Sequence, residues 1–337
     1  MTPGSSRADA AYFPRMSATA LPARARAYAP GGIGNMGPGL DVLGCAVTGA
    51  GDTIELAWVD EASNATITIA ESGHPELPNH PGRHAASIAA LAVLRLAGER
   101  PPRSLVMRAT KGLPLAGGQG GSAASAVAGA VAMNALLGSP LDERALLDAA
   151  LEAEAVVAGR HADNVAPALL GGVILVRSVD PIDLVRIPYP AELRIVLVQP
   201  EQRLPTAQAR AVLPNVVDRA VAVRQSANVA AMVAALTSGD LDLLRRALDD
   251  GIAEPARAPL LPGFREAKAA ALEAGALGCS ISGAGPTSFA FAGNDASAEH
   301  IGAVMCAAYE SRGVRAFARV ARIDERGARL LDSVKTF

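Results

Sequence analysis

Lysine, cysteine and aromatic residues are all scarce in this chain of 337 residues. Lysine occurs only at Lys111, Lys268 and Lys335, so almost all of the 31 basic residues are arginines. They are balanced by 33 aspartates and glutamates, which leaves a formal net charge of −2 at pH 7. This balance excludes binding to a polyanion through bulk positive charge, and we expect no nucleic-acid partner.

The three cysteines, Cys45, Cys279 and Cys306, cannot make a disulfide framework and lack the paired spacing of a metal site. This usage is typical of a reducing compartment. Long hydrophobic runs are missing too: residues 123–137 are the most apolar, yet they are fewer than the ~20 that a membrane span needs. Residues 1–22 have no sustained apolar block, so we expect a disordered extension rather than a secretory signal. The sequence therefore predicts a cytoplasmic protein without a membrane partner.

Half of the residues are apolar, with much alanine and valine, and only 3% are aromatic. This composition predicts small-residue, helix-rich cores, and the length suggests two domains at ~100–200 residues each. The patterns predict a strand at 23–29, helices at 122–137 and 207–236, and a last strand at 315–323. Helices do not alternate one for one with strands, and several strands look paired as hairpins. This arrangement favours an α+β fold over a doubly wound parallel sheet.

A glycine-rich segment from Pro114 to Ser122 runs directly into the helix predicted at 122–137. Glycines let backbone N–H groups converge, and a helix N-terminus adds its positive dipole end. Together they favour phosphate binding over glycines that serve packing alone. Two other phosphate motifs are excluded: a P-loop needs a lysine that this segment lacks, and a dinucleotide fingerprint needs a hydrophobic strand directly before it.

Two further glycine-rich segments, 30–41 and 282–287, are weak signals alone, but the order of all three along one chain is informative. Together they resemble the small-molecule kinase superfamily named for galactokinase, homoserine kinase, mevalonate kinase and phosphomevalonate kinase, the GHMP kinases. The matching residues are Pro30, Asn35, Gly37, Pro38, Gly39 and Asp41, then Pro114, Gly118, Gly120, Ser122, Ala123 and Ala124, then all of 282–287. Residues 161–168, 206–214 and 254–257 resemble the homoserine kinases in particular.

The resemblance implies a two-domain GHMP-kinase fold of the α+β class. An N-terminal, ribosomal-protein-S5-like nucleotide domain is expected over 23–185. A C-terminal, ferredoxin-like domain that contributes substrate-binding residues is expected over 186–337. The implied activity is ATP-dependent phosphorylation of the side-chain hydroxyl of L-homoserine to O-phospho-L-homoserine, a step of threonine biosynthesis. The resemblance is also compatible with a homodimer.

ATP and Mg²⁺ are the cofactors that the resemblance implies. The residues expected at the nucleotide are His84, Lys111, Pro114, Gly117, Gly118, Gln119, Gly120, Gly121, Ser122 and Ala123. Ser122 and Glu154 are expected to hold Mg²⁺, which binds few protein oxygens together with phosphate and water. For two of these residues, a purely structural role stays open as an alternative to cofactor binding. Glu154 could lie on a solvated helix face, although Glu152 fits that position better, and Lys111 could be an ordinary solvated lysine.

At the substrate, the resemblance implies Asn35, Asp41, His161, Asn164, Thr206, Arg210 and Arg257. Arg210 and Arg257 offer planar forks for a carboxylate, and Asp41 is expected to take the ammonium group. The residues expected to act in catalysis are Asn164, Glu154 and Ser122. Phosphoryl transfer asks a protein for positioning and charge neutralisation, and the family is described as working without an aspartate base.

The chain departs from the family motifs at several positions. Gln119 and Gly121 replace a leucine and a serine of the phosphate loop, and His84 stands where an asparagine tied to adenine recognition is usual. Two alternatives to homoserine phosphorylation therefore stay open. One is a nucleotide- or metabolite-binding paralogue with weakened catalysis, and the other is a GHMP kinase that acts on another small alcohol.

Overall fold

The computed structural model describes residues 22–59, 67–99 and 104–335, in which two sheets are packed with helices. The strands are β1 (Pro22–Gly34), β2 (Leu43–Val59), β3 (Ile67–Glu71), β4 (Ser104–Thr110), β5 (Val173–Val179), β6 (Ile182–Ile187), β7 (Arg194–Pro200), β8 (Cys279–Ile281), β9 (Ser288–Ala292), β10 (Ala316–Ala321) and β11 (Arg329–Lys335). The helices are α1 (Ala85–Leu96), α2 (Gly121–Leu136), α3 (Glu143–Val157), α4 (Ala162–Leu170), α5 (Thr206–Ala211), α6 (Arg219–Ser238), α7 (Leu241–Ala247), α8 (Ala253–Arg257), α9 (Phe264–Glu273) and α10 (Asp295–Ser311). The expected α+β class is confirmed.

The first sheet has seven strands, in the order β11-β1-β2-β4-β3, with β5 paired to one end of β2 and β6 paired to β5. All its pairings are antiparallel except that of β3 with β4. The long strand β2 pairs with β5 over Leu43–Cys45 and with β4 over Thr53–Val59, so it serves two parts of the sheet. The second sheet has the antiparallel order β10-β7-β9-β8.

The core of the first domain is built mainly from alanine, as the composition predicts. Helix α2 is buried from Ala123 to Leu136 and packs between the first sheet and helices α1 and α3. Close helix packing requires glycine at one point, because a Cβ on Gly129 would lie 2.3 Å from the carbonyl oxygen of Ala86. This dense packing holds the N-terminus of α2, where the phosphate loop ends, in a fixed place.

The second sheet is covered on both faces. One face packs against α9 and α10 through residues such as Val196 and Met305. The other face contributes Leu197 and Phe289 to a core that also contains Ile33 and Met36 of the first glycine-rich segment. This shared core joins the two parts of the chain and places their glycine-rich loops side by side.

The structure differs from the sequence prediction in three elements. The helix predicted over 207–236 is two helices, α5 and α6, because Pro214 lies between them and disfavours a helical residue before it. Strand β1 continues through Pro30 to Gly34 instead of ending at Ala29. The strand predicted at 315–323 is present as β10, but it is not the last, because β11 follows it and pairs with β1. The chain thus returns to the first sheet within the range assigned to the C-terminal domain, whereas residues 1–21 of the predicted extension lie outside the described residues.

Within the described ranges, one helix, α6, is long and apolar enough to cross a membrane by length and composition alone. Only 22% of its most apolar window is buried. A single helix of this kind is weak evidence for a membrane span, and the absence of a membrane partner stays a prediction.

Candidate active site

A cleft of about 560 Å³ lies where the glycine-rich loops of the two domains meet. The predicted site residues that line it are Asn35, His84, Lys111, Pro114, Gly117, Gly118, Gly120, Gly121, Ser122, Glu154, His161, Asn164, Thr206, Arg210 and Arg257. Three other predicted residues, Asp41, Gln119 and Ala123, do not line this cavity. The fold therefore brings residues from distant parts of the sequence to one place.

The phosphate loop is held open by its backbone conformation and by the third glycine-rich segment. Gly118 and Gly120 have φ angles of +76° and +67°, which strongly favour glycine. A Cβ on Gly118 would also lie 2.5 Å from the carbonyl oxygen of Ser282, whose hydroxyl donates to the Gly118 carbonyl at 2.7 Å. Among the described residues, no side chain caps α2 and no acidic residue lies in its first turn. Its N–H groups and positive dipole end are thus available to an anion.

Ser122 and Glu154 form a pair at the start of α2. The Ser122 hydroxyl donates to Glu154 Oε1 at 2.9 Å. Glu154 is 3% exposed, and its Oε2 has no hydrogen-bond partner in the described part of the chain. Burial raises the pKa of this carboxyl to about 7. A buried carboxylate oxygen without a partner, beside a hydroxyl, fits a divalent cation of the Mg²⁺ type. Glu152, in contrast, is exposed and pairs with Arg95.

Asp41 and Arg210, expected at opposite ends of a zwitterionic substrate, are bonded to each other in this structure. Arg210 Nη1 donates to Asp41 Oδ2 at 2.9 Å, and Arg210 Nη2 donates to Asp41 Oδ1. Burial works to raise the pKa of Asp41, but the hydrogen bond and charge of Arg210 hold it below its usual value. The two side chains are 43% and 33% exposed, so incoming ligand can reach both.

His161 joins this pair as a neutral ring. Arg210 Nη2 donates to His161 Nδ1 at 2.8 Å, and His161 Nε2 donates to the Ala158 carbonyl at 3.1 Å. Burial, followed by the charge of Arg210, lowers the pKa of His161. The ligand atoms of Asp41, His161 and Asp163 lie within 4.8 Å of one another, as a metal site would require. The Arg210 guanidinium already bonds to two of these side chains, which disfavours a cation there.

Arg257 is a buried cation at the floor of the cleft. It is 2% exposed, and it donates to the carbonyl oxygens of Ala209 at 3.1 Å and Gly283 at 2.8 Å. Burial, together with the charge of Arg210, lowers its pKa. No ion pair to Arg257 is recorded within the described ranges, so its charge is available to an anionic group in the cleft.

The asparagines form a second network beside the arginines. Asn35 Nδ2 donates to the Gly283 carbonyl at 2.9 Å, while Asn35 Oδ1 accepts the Asp41 N–H at 3.1 Å. Asn164 Nδ2 donates to Asp163 Oδ2 at 3.2 Å, and the same oxygen accepts the Asn35 N–H. Asp163 is fully enclosed, its Oδ1 has no partner among the described residues, and burial raises its pKa to about 7. In the sequence, Asp163 directly precedes Asn164, and it is not among the predicted site residues.

Two predicted nucleotide residues have structural partners of their own. His84 caps α1: its Nδ1 accepts the Ala86 N–H at 3.3 Å, and its Nε2 donates to the Ser72 carbonyl at 3.1 Å. Lys111 is buried against Asp52 and donates to the Gly121 carbonyl at 3.0 Å and to Ser125 Oγ at 3.1 Å. It is therefore not a solvated lysine. Asp52 was missed because a single aspartate within a strand pattern carries no sign that a lysine folds onto it.

Comparisons with known proteins identify the family of this chain. The family model described as "GHMP kinases N terminal domain" matches residues 84–172, and the one described as "GHMP kinases C terminal" matches 232–311. A homoserine kinase of Chlorobaculum tepidum is 42% identical over 91% of this chain and 98% of its own length. A homoserine kinase of Arabidopsis thaliana is 44% identical over 92% of this chain and 85% of its own.

Solved structures agree in fold. The crystal structure of a homoserine kinase from Cytophaga hutchinsonii superposes with a TM-score of 0.87 and 38% identity, covering 95% of this chain and 99% of the other. The L. major mevalonate kinase in complex with R-mevalonate has a TM-score of 0.69 and 16% identity, covering 90% and 98% of the two chains. At that identity the second likeness shows the fold alone.

Proposed function

This chain belongs to the homoserine kinases of the GHMP kinase family, and from that membership we propose that it transfers the γ-phosphoryl group of ATP to L-homoserine. The acceptor is the side-chain hydroxyl, and the products are O-phospho-L-homoserine and ADP. The reaction is a step of threonine biosynthesis. One observation carries the proposal: the uncapped N-terminus of α2 and the guanidinium groups of Arg210 and Arg257 line the same cleft.

The nucleotide end of the cleft needs few charged side chains. Backbone N–H groups from Gly120 to Ser122 bind the phosphates, helped by the dipole of α2. Ser122 and Glu154, whose Oε2 has no partner among the described residues, would hold Mg²⁺. The ion, when bound, neutralises charge on the phosphates. Glu154 must be ionised for this role, although burial raises the pKa of its carboxyl.

Homoserine enters by replacing an ion pair that the protein makes with itself. The ammonium group of homoserine pairs with the Asp41 carboxylate, and the carboxylate of homoserine binds the guanidinium groups of Arg210 and Arg257. Asp41 and Arg210 each thereby exchange one opposite charge for another, which limits the cost of opening their pair. Thr206 and His161 border the ligand, while Asn35 and Asn164 orient the hydroxyl toward the phosphate loop, so that attack on the γ-phosphorus is a matter of positioning.

An ADP-release assay with four acceptor conditions tests this proposal. Homoserine, threonine, mevalonate and a blank without acceptor are compared at saturating ATP and Mg²⁺. We expect ADP release with homoserine well above the other three conditions. Faster release with mevalonate or another alcohol would assign a different substrate. Equal release in all four, with the nucleotide still bound, would indicate a binding protein instead of a kinase.

A further inference from the structure

Gln119 belongs to the phosphate loop, but its side chain turns away from the cleft toward the second sheet. The residue is 5% exposed, and a buried amide is costly unless its polar atoms are hydrogen-bonded. Gln119 Nε2 donates to Gln199 Oε1 at 2.9 Å and to Thr287 Oγ1 at 3.2 Å. Its Oε1 accepts from Arg319 Nη2 at 3.0 Å. Both ends of the amide are therefore occupied.

The three partners of Gln119 come from neighbouring strands of the second sheet. Gln199 lies on β7, Thr287 directly precedes β9, and Arg319 lies on β10. One of these partners also holds the backbone of the loop, since the Thr287 N–H donates to the Gly117 carbonyl at 3.2 Å. One side chain thus ties the nucleotide loop to the sheet of the other domain.

Arg319 extends this connection back to the first sheet. Its Nη1 donates to the Thr48 carbonyl on β2 at 2.7 Å, while its Nη2 holds Gln119. No carboxylate is recorded as its ion-pair partner in the described part of the chain, and burial lowers its pKa. The geometry suits an arginine, because the planar guanidinium holds two terminal nitrogens at a fixed spacing and each donates to a different neutral oxygen.

We propose that Gln119 and Arg319 are positioning residues that fix the phosphate loop in its nucleotide-binding conformation. The proposal rests on the function proposed above. Gly117, Gly118 and Gly120 give the loop wide backbone freedom, which must be lost before its N–H groups converge on a phosphate. An anchor that restricts the loop in advance reduces this cost and so tightens nucleotide binding. Leucine at position 119 would leave Arg319 Nη2 without its acceptor. It would also remove the Nε2 donor from Gln199 and Thr287, which stay hydrogen-bonded to each other.

Binding of a non-hydrolysable ATP analogue with Mg²⁺, measured by calorimetry, tests the pair. We expect Gln119→Leu and Arg319→Ala each to raise the Kd about tenfold. The Kd of the double variant should be no higher than that of the single variant with the higher Kd, because both changes break the same connection. The KM for ATP should rise in parallel, while the KM for homoserine stays within about twofold. Arg319→Lys keeps the charge but not the fork, so its Kd should resemble that of Arg319→Ala.

Arg322→Ala is the matched control. It removes the same charge just beyond the end of β10, but Arg322 is exposed and pairs with Asp295, so the Kd should not change. Additive effects in the double variant, recovery by lysine, or changes below about twofold would each overturn the proposal. If Gln119→Leu does not fold, the lysine and alanine variants of Arg319 still decide it. A wild-type chain that binds no nucleotide would overturn the proposed function itself.

Discussion

Replacing Asp52 with alanine leaves the ammonium group of Lys111 buried without its anion. Asp52 is fully buried, and the Lys111 side chain is 7% exposed. The carboxylate also accepts from Ser125 Oγ at 2.6 Å and from the N–H groups of Gly112 and Leu113 at 3.2 and 3.3 Å. All four donors lose this acceptor together, and the buried carboxylate that held them is gone.

Breaking a buried pair from one side costs about 3–5 kcal/mol. This is a large part of the ~5–15 kcal/mol by which a native domain is stable. We expect Asp52→Ala to lower the free energy of unfolding by that amount in urea titrations followed by circular dichroism. The double variant Asp52→Ala/Lys111→Met should lose less, because it leaves no uncompensated charge.

Glu152→Ala provides the control, since it breaks an exposed pair with Arg95 and should cost about 1 kcal/mol or less. A loss below about 1 kcal/mol for Asp52→Ala, or a double variant less stable than the single one, would refute the reasoning. Lys111 would then have to be assigned to the nucleotide and not to the scaffold beneath it.

Three further predictions concern the cleft. Arg210→Ala should raise the KM for homoserine by about 10- to 100-fold, the value of a charge-assisted hydrogen bond, and the KM for ATP far less; equal effects would contradict the carboxylate role. Glu154→Gln should raise the Mg²⁺ concentration for half-maximal activity by about tenfold or more, and an unchanged Mg²⁺ titration would exclude Glu154 as a ligand. Because burial raises the pKa of Asp163 from 3.8 to about 7, the folded state holds this proton more tightly than the unfolded chain. Stability is therefore lost as the pH rises through that interval. In thermal scans, the Tm of Asp163→Asn should rise relative to that of the wild type as the pH increases between these two values. Parallel curves of Tm against pH would contradict the burial argument.

Much of the site could be predicted from short stretches of sequence. The glycines of the phosphate loop are required by positive φ angles and by close approach to Ser282, and such local needs leave a pattern in the chain. The helix after the loop follows from its run of small apolar residues. For the same reason the sequence indicated the family and, through residues such as Arg210 and Arg257, its substrate class.

The partners of individual polar side chains could not be predicted in this way. Lys111 and Asp52 are 59 positions apart, and Arg319 and Gln119 are 200 apart, so no local spacing relates them. His84 could be aligned with a nucleotide residue, but only the structure shows that α1 and Ser72 use both of its ring nitrogens.

The scarcity of lysine and the placement of glycine were enough by themselves to exclude a P-loop and to indicate a phosphate loop of another kind. These features depend on the backbone and on residues that are neighbours in the chain. Only the tertiary structure decided that Glu154 is buried at Ser122, that Gln119 turns toward the second sheet, and that β11 returns to β1. Each of these contacts joins segments that are distant in the sequence, and it forms because the packing of helices and strands brings those segments within hydrogen-bond distance.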